Sequence, residues 1–119
     1  MADVLVFGAR GVLGRAVTSV LGERCQGVGR DQCDITDAAA VTAWIRERRP
    51  AHVVNCAAYT RVDDAETEHD LAFRVNGLAP GVMAEAAREV GSAFFHVSTD
   101  YVFDGSGERP WKEDDAPVP

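Results

Sequence analysis

Gly8, Gly11 and Gly14 follow the apolar run Val4-Leu5-Val6-Phe7 at three-residue intervals, within Gly8-Ala9-Arg10-Gly11-Val12-Leu13-Gly14. A strand that enters a glycine-rich turn and then opens a helix offers free backbone N–H groups to an anion, above all to a dinucleotide pyrophosphate. On this reading Gly8 serves the tight turn, Gly11 lets the backbone approach the phosphates, and Gly14 lets the helix pack closely on the strand. The spacing G-x-x-G-x-x-G departs from the common G-x-G-x-x-G fingerprint, so the surrounding strand and helix carry the assignment. Without them, the same glycines make only a tight connection.

Further candidates fall after each later apolar run. An arginine after a second strand pairs with a ribose 2′-phosphate and a carboxylate there accepts from ribose hydroxyls, so Arg30 favours NADP while Asp31 keeps NAD open. Asp34 and Ile35 could flank an adenine, the carboxylate accepting from its amino group; a plain turn explains them equally. Small residues in Asn55-Cys56-Ala57-Ala58-Tyr59 would admit a ribose and nicotinamide, and a close-packed sheet end needs them too. Asn76 is a poor helix former inside a helical stretch, suited to pinning neighbouring backbone. Ser98-Thr99-Asp100-Tyr101 sets three hydroxyls and a carboxylate at one strand end, where a hydroxyl could hold a substrate carbonyl for protonation. His52, His69 and His96 lie far apart without ligand partners, which argues against a metal.

These residues need an alternating scaffold. The pattern predicts strands at Val4–Phe7, Gln26–Arg30, His52–Cys56 and Ala93–Ser98. Between them it predicts a helix from about Gly11 to Leu21 with an apolar stripe of Val12, Leu13, Val17, Val20 and Leu21. A second helix starts at a Thr36-Asp37 cap and ends before Pro50, with Arg46, Arg48 and Arg49 as a solvated, dipole-matched end. A third runs from about Asp70 to Val90, kinked or restarted at Pro80 and stopped by Gly91. The expected fold is α/β: a Rossmann-like doubly wound parallel sheet, incomplete at about four strands, with an order beginning 3-2-1-4. Residues 1–105 form the nucleotide-binding domain and 106–119 a loop without periodicity.

The 119 residues suffice for one domain with a core. Twelve basic against nineteen acidic residues give a charge of −7, which argues against nucleic acid and anionic membrane as partners. No apolar run reaches the ~18 residues of a membrane span and no leader pattern is present, so a cytoplasmic setting is expected. Cys25, Cys33 and Cys56 form no C-x-x-C pair and are expected to be reduced.

Over essentially its whole length the sequence resembles the extended short-chain dehydrogenases, and within them the dTDP-4-dehydrorhamnose reductase group. The resemblance rests on Val6 through Gly14, Asp34-Ile35-Thr36-Asp37, Arg49-Pro50, Val53 through Thr60, Val62-Asp63, Ala65-Glu66 and Val75-Asn76. Its most specific part is Ser98-Thr99-Asp100-Tyr101-Val102-Phe103-Asp104-Gly105, followed by Pro110-Trp111-Lys112-Glu113-Asp114-Asp115. It implies reduction of dTDP-4-dehydro-L-rhamnose to dTDP-L-rhamnose with NADPH or NADH. By the same resemblance Gly8, Arg10, Gly11, Val12, Leu13, Gly14, Arg30, Asp34, Ile35, Ala57, Ala58, Tyr59, Asn76 and Ser98 would bind the cofactor. Asp100, Tyr101 and Phe103 would bind the nucleotide sugar, and Thr99 falls on the Ser/Thr member of a Ser/Thr–Tyr–Lys catalytic set.

The family's Y-x-x-x-K is absent: the tyrosines are Tyr59 and Tyr101, the lysine is Lys112, and Gly105 stands four residues after Tyr101. The sequence therefore reads as an N-terminal portion, inactive alone, with a homodimer one expectation for the full-length form. Asp64, where many relatives carry a basic residue, and Cys56, in place of a common alanine, depart from the pattern. Two other readings share most of these motifs: a non-catalytic NADP-binding regulatory subunit, like the β subunit of methionine adenosyltransferase, and a reductase or epimerase of another nucleotide sugar.

Overall fold

The computed structural model describes residues 2–119. Four parallel strands form one sheet: β1 (Val4–Phe7), β2 (Cys25–Val28), β3 (His52–Asn55) and β4 (Ala93–His96). The helices are α1 (Val12–Leu21), α2 (Ala38–Arg48), α3 (Val62–Ala65), α4 (His69–Phe73) and α5 (Ala79–Val90). The fold is the Rossmann-like α/β sheet that the alternation predicts.

The strand order is 2-1-3-4, which corrects the expected start 3-2-1-4. The third strand does not lie outside β2; it pairs with the opposite side of β1, Val4 against His52 through Phe7 against Asn55. After β2 the chain turns through Gly29–Asp37 without forming a strand and enters α2, which packs along α5. Val41 and Ile45 of α2 share a core with Leu5, Phe7, Val28, Val53 and the Met83, Ala86 and Ala87 of α5. That packing carries the chain across β1. A right-handed crossover moving towards β2 must use one sheet face, and those moving the other way must use the opposite face. Accordingly α1 packs on β1 and β2, while α5 packs on β3 and β4.

Each helix has a readable local cause. The Asp37 carboxylate accepts from Ala40 N to cap α2, and Arg49 ends it in the left-handed region at φ 44°. Pro80 lies in the first turn of α5, where its missing N–H is harmless, and Gly91 ends that helix at φ 76°. The expected long third helix is interrupted by a π-helical turn at Arg74–Leu78, just before Pro80. Arg46 and Arg48 are more than a solvated helix end: Arg46 pairs with Glu89 of α5 at 2.7 Å, and Arg48 stacks over Trp44 at 3.6 Å while donating to Gln26 of β2.

Helix α1 departs from its apolar stripe. Val12 and Val20 are 94% and 86% exposed, and the helix meets the sheet instead through Gly14 and Thr18. A Cβ at Gly14 would lie 2.0 Å from the Gly8 carbonyl oxygen, and one at Gly27 would lie 2.8 Å from the Ala9 Cβ and 3.2 Å from Thr18 Cγ2. Gly27 thus weakens β2 as a strand but lets α1 close on it. On this face the second half of the sheet, with His52, Ala93 and Phe95, is exposed.

Substituting the two glycines Gly14 and Gly81 separates packing from helix propensity. Gly14→Ala is expected to cost about 2–4 kcal/mol, because backbone must move to admit the methyl. Gly81→Ala, whose Cβ meets nothing within 4 Å, is expected to gain up to about 1 kcal/mol. Urea unfolding followed by tryptophan fluorescence measures both.

Candidate functional site

A cleft of about 560 Å³ opens at the carboxyl ends of β1, β2 and β3. The chain leaves β1 towards β2 on one side and places β3 on the other, and such a switch point leaves a crevice above the strand ends.

Its floor is backbone. Gly8 has φ +73°, and a Cβ there would lie 2.4 Å from Ala57 N, so the turn after β1 touches the loop after β3. Gly11 is different: its backbone is ordinary, at φ −74° and ψ 175°, and a Cβ would meet only the Gly8 oxygen, at 3.5 Å. Packing does not demand a glycine here, and Gly11 lines the cleft. Helix α1 begins at this point with no side-chain cap and no acidic residue in its first turn. Its leading N–H groups therefore have no side-chain partner, and Gly11 at this end lines the cleft.

Expected cofactor residues Gly8, Arg10, Gly11, Arg30, Asp34, Ile35, Ala57, Ala58 and Tyr59 all line the cleft. Val12, Leu13 and Gly14 lie in the first turn of α1 beside it. The Asp34 carboxylate accepts from Thr36 N and Oγ1, which lowers its pKa, with the charges of Arg30 and Arg74 adding to the effect. That oxygen serves the turn. Arg10 crosses the end of β2 to pair with Asp31 at 2.9 Å.

The wall after β3 is held from two sides. Asn55 is fully buried; its Oδ1 accepts from Ala57 N at 3.0 Å and its side-chain amide N lies 3.1 Å from His96 Nδ1, tying the ends of β3 and β4 together. Asn76, inside the π-helical turn, accepts from Tyr59 N at 2.8 Å and donates to Tyr59 O at 3.0 Å. It pins backbone, as its helical position suggested. The Tyr59 hydroxyl donates to Glu68, which raises its pKa, so this phenol keeps its proton. Burial raises the pKa values of Cys33 and Cys56 at the cleft edge, leaving both as neutral thiols rather than nucleophiles.

Ser98, Thr99, Asp100, Tyr101 and Phe103 follow β4 and do not line the cleft. Thr99 caps the short 3₁₀ turn Asp100–Val102: its Oγ1 accepts from Tyr101 N at 3.2 Å and makes only a long 3.4 Å contact with Asp100. Phe103 stacks on Trp111 with ring centroids 4.4 Å apart. The tail, expected as a loop, carries that stack, two Arg109–Asp115 bonds of 2.8 and 2.7 Å, and a bond from Val118 N to Val102 O. Sequence reasoning missed Arg61, Leu71, Arg74 and Val75 as cleft residues. Arg61 continues the loop after β3, while α4 brings Leu71 and the π-helical turn brings Arg74 and Val75 from further along the chain.

The residues present fit a dinucleotide: uncapped N–H groups at the start of α1, a Gly11 without a Cβ, and arginines in the lining. The family described as the RmlD substrate binding domain matches residues 1–119. The chain is 54% identical over 113 residues to a dTDP-4-dehydrorhamnose reductase of Streptomyces griseus, covering 92% of this chain and 37% of that protein. It is 44% identical over 119 residues to a probable dTDP-4,6-dihydroxy-2-methyloxan-3-one 4-ketoreductase of Streptomyces antibioticus, covering 97% and 40%. Among solved structures, the Bacillus anthracis dTDP-4-dehydrorhamnose reductase in complex with NADP superposes with a TM-score of 0.94 at 34% identity, covering 100% of this chain and 44% of that one. The chain thus spans about two fifths of the length of these relatives.

The Arg109 pairing holds the Asp115 carboxyl at about 2, below its ordinary 3.8. A carboxyl lowered in the folded state adds stability that is present above pH ~4 and lost as the pH falls through about 2. Ordering of the tail is therefore expected to fade across that window, reported by Trp111 fluorescence, with Asp115→Asn removing the transition.

Proposed function

Because the chain belongs to the RmlD substrate binding domain family, we propose that it is the dinucleotide-binding part of a reductase acting on a dTDP-linked 4-keto sugar, with NADPH or NADH in the cleft above β1–β3. The observation that carries this reading is Gly11, a glycine that the fold leaves free to carry a side chain and that stands against the uncapped start of α1. The Bacillus anthracis relative, a complex with NADP, supports it.

When bound, the reduced nicotinamide supplies a hydride. The residues of this chain do the rest of the work available to them. N–H groups of the first turn of α1 would hold the cofactor's phosphates, and the Ala57–Tyr59 backbone, fixed by Asn55 and Asn76, would form a cleft wall against it. Thr99 Oγ1, spending its proton only on the long contact with Asp100, is free to donate to a substrate carbonyl oxygen. The family's catalytic tyrosine and lysine belong to a Y-x-x-x-K that these 119 residues do not contain. Alone they are proposed to bind the dinucleotide without turnover.

The Streptomyces antibioticus relative, a probable 4-ketoreductase of a different name, favours a second reading in which the sugar is another dTDP-linked 4-keto sugar. The three free cysteines fit a reducing cytoplasm. Exposed Val12, Val20 and Phe95 leave apolar surface for further protein, consistent with a longer chain or a homodimer.

Gly11→Ala is expected to leave the unfolding midpoint nearly unchanged while lowering NADP⁺ affinity about tenfold or more, measured by calorimetric titration. An unaltered affinity would remove the cleft from the reading. In a full-length reductase carrying these residues, Thr99→Val is expected to lower kcat about 10²-fold or more with cofactor affinity preserved; normal turnover would end the assignment of Thr99.

A further inference from the structure

Asn55 ends β3 and His96 ends β4, opposite each other in the sheet register. The orientation of the buried Asn55 amide follows from its partners: Ala57 N can only donate, so Oδ1 faces it at 3.0 Å and Nδ2 is left to His96 Nδ1 at 3.1 Å. An amide nitrogen only donates, so Nδ1 must accept. That fixes His96 as a neutral imidazole with its proton on Nε2. The arrangement reaches the cleft, because a Cβ on Gly8 would lie 2.4 Å from the same Ala57 N. His96 itself is exposed, with the Phe94 ring stacked on it at 6.3 Å, and solvent protons reach it. The elements packed on β4 are β3 and α5; their titratable and charged groups are His52, Glu85, Arg88 and Glu89, with Cys56 and Asp100 just beyond the strand ends. Among the described residues none of these hydrogen-bonds or ion-pairs with His96.

We infer that His96 is a positioning residue for the cleft: as a neutral acceptor it locks Asn55, and through Asn55 the Ala57 backbone, and on protonation it releases both and weakens dinucleotide binding. The inference rests on the dinucleotide reading given above. With His96 protonated, both ring nitrogens donate, and Nδ1–H meets the side-chain N–H groups of Asn55, donor against donor. Asn55 is fully buried, so it either loses this partner or turns over and leaves Ala57 N unsatisfied. Either way the wall after β3 loosens at its contact with Gly8. Histidine as a residue type changes charge between about pH 5 and 8, so the lock opens with acid in that range. The sign is distinctive, because a new cation beside an anionic ligand would by itself tighten binding.

The test is calorimetric titration of the chain and its His96 variants with NADP⁺ at about pH 7.5 and about pH 5.5, on either side of the range in which histidine titrates. His96→Asn places an oxygen acceptor where Nδ1 stands and cannot be protonated. Between the two pH values the wild type is expected to lose about threefold to tenfold more affinity than His96→Asn. The ligand's own 2′-phosphate titrates alike with both proteins and cancels in that ratio. His96→Leu, which offers no acceptor, is expected to bind more weakly than the wild type at the higher pH and to follow the pH dependence of His96→Asn. Imidazole nitrogen NMR of the wild type reads the tautomer directly, whatever the variants do: Nδ1 bare and Nε2 protonated is expected, and a protonated Nδ1 at the higher pH overturns the inference. If the wild type binds and its affinity ratio to His96→Asn is the same at both pH values, the inference fails and the dinucleotide reading stands. If the wild type binds neither NADP⁺ nor NAD⁺ at the higher pH, both fall together.

Discussion

The Gly8 carbonyl is the point about which this molecule is arranged. It accepts from Gly11 N at 3.2 Å, and α1 passes so near that a methyl on Gly14 would clash with the oxygen at 2.0 Å. From the other side the loop after β3 reaches the Gly8 Cα at Ala57. The turn after β1, the start of α1 and the sequence-distant loop after β3 thus meet backbone to backbone. A floor made this way has no rotamers to adjust, which fixes the start of α1 relative to the strand ends more firmly than side-chain packing would.

Over that floor the electrostatics run against the composition. The chain is acidic, with a formal charge of −7, yet the cleft walls carry Arg10, Arg30, Arg61 and Arg74 against the single carboxylate of Asp34. Net charge describes how a protein behaves towards large, extended partners; a crevice answers to the few groups that line it. The acidic balance and an anionic ligand are therefore compatible, and the arginines are the reason.

How far the sequence speaks depends on how local each cause is. Strand β1 ends where its apolar run ends, Asp37 caps the helix it precedes, and Pro80 marks a restart, because each is decided within a turn of chain. The strand order was not legible, since it depends on α2 lying along α5, forty residues further on. Neither was the exposure of Val12 and Val20, whose periodicity suits a buried stripe but whose helix docks through Gly14. Asn76 could be read as a pin, but its partner Tyr59 could not. The tail after Asp104 carries no period because its stack and its ion pair are single, non-repeating contacts.

The π-helical turn at Arg74–Leu78 has one more residue than an α-helical turn would use, and that surplus shifts angular phase. Before it, Leu71 faces the cleft; after it, Met83, Ala86 and Ala87 face the sheet core. The extra residue is what lets one continuous helical run serve two surfaces that an unbroken α-helix would not align. The turn therefore acts as a one-residue phase shift between two helical faces. Removing one residue of the turn would rotate the cleft-facing Leu71 by about 100° against the core-facing Met83.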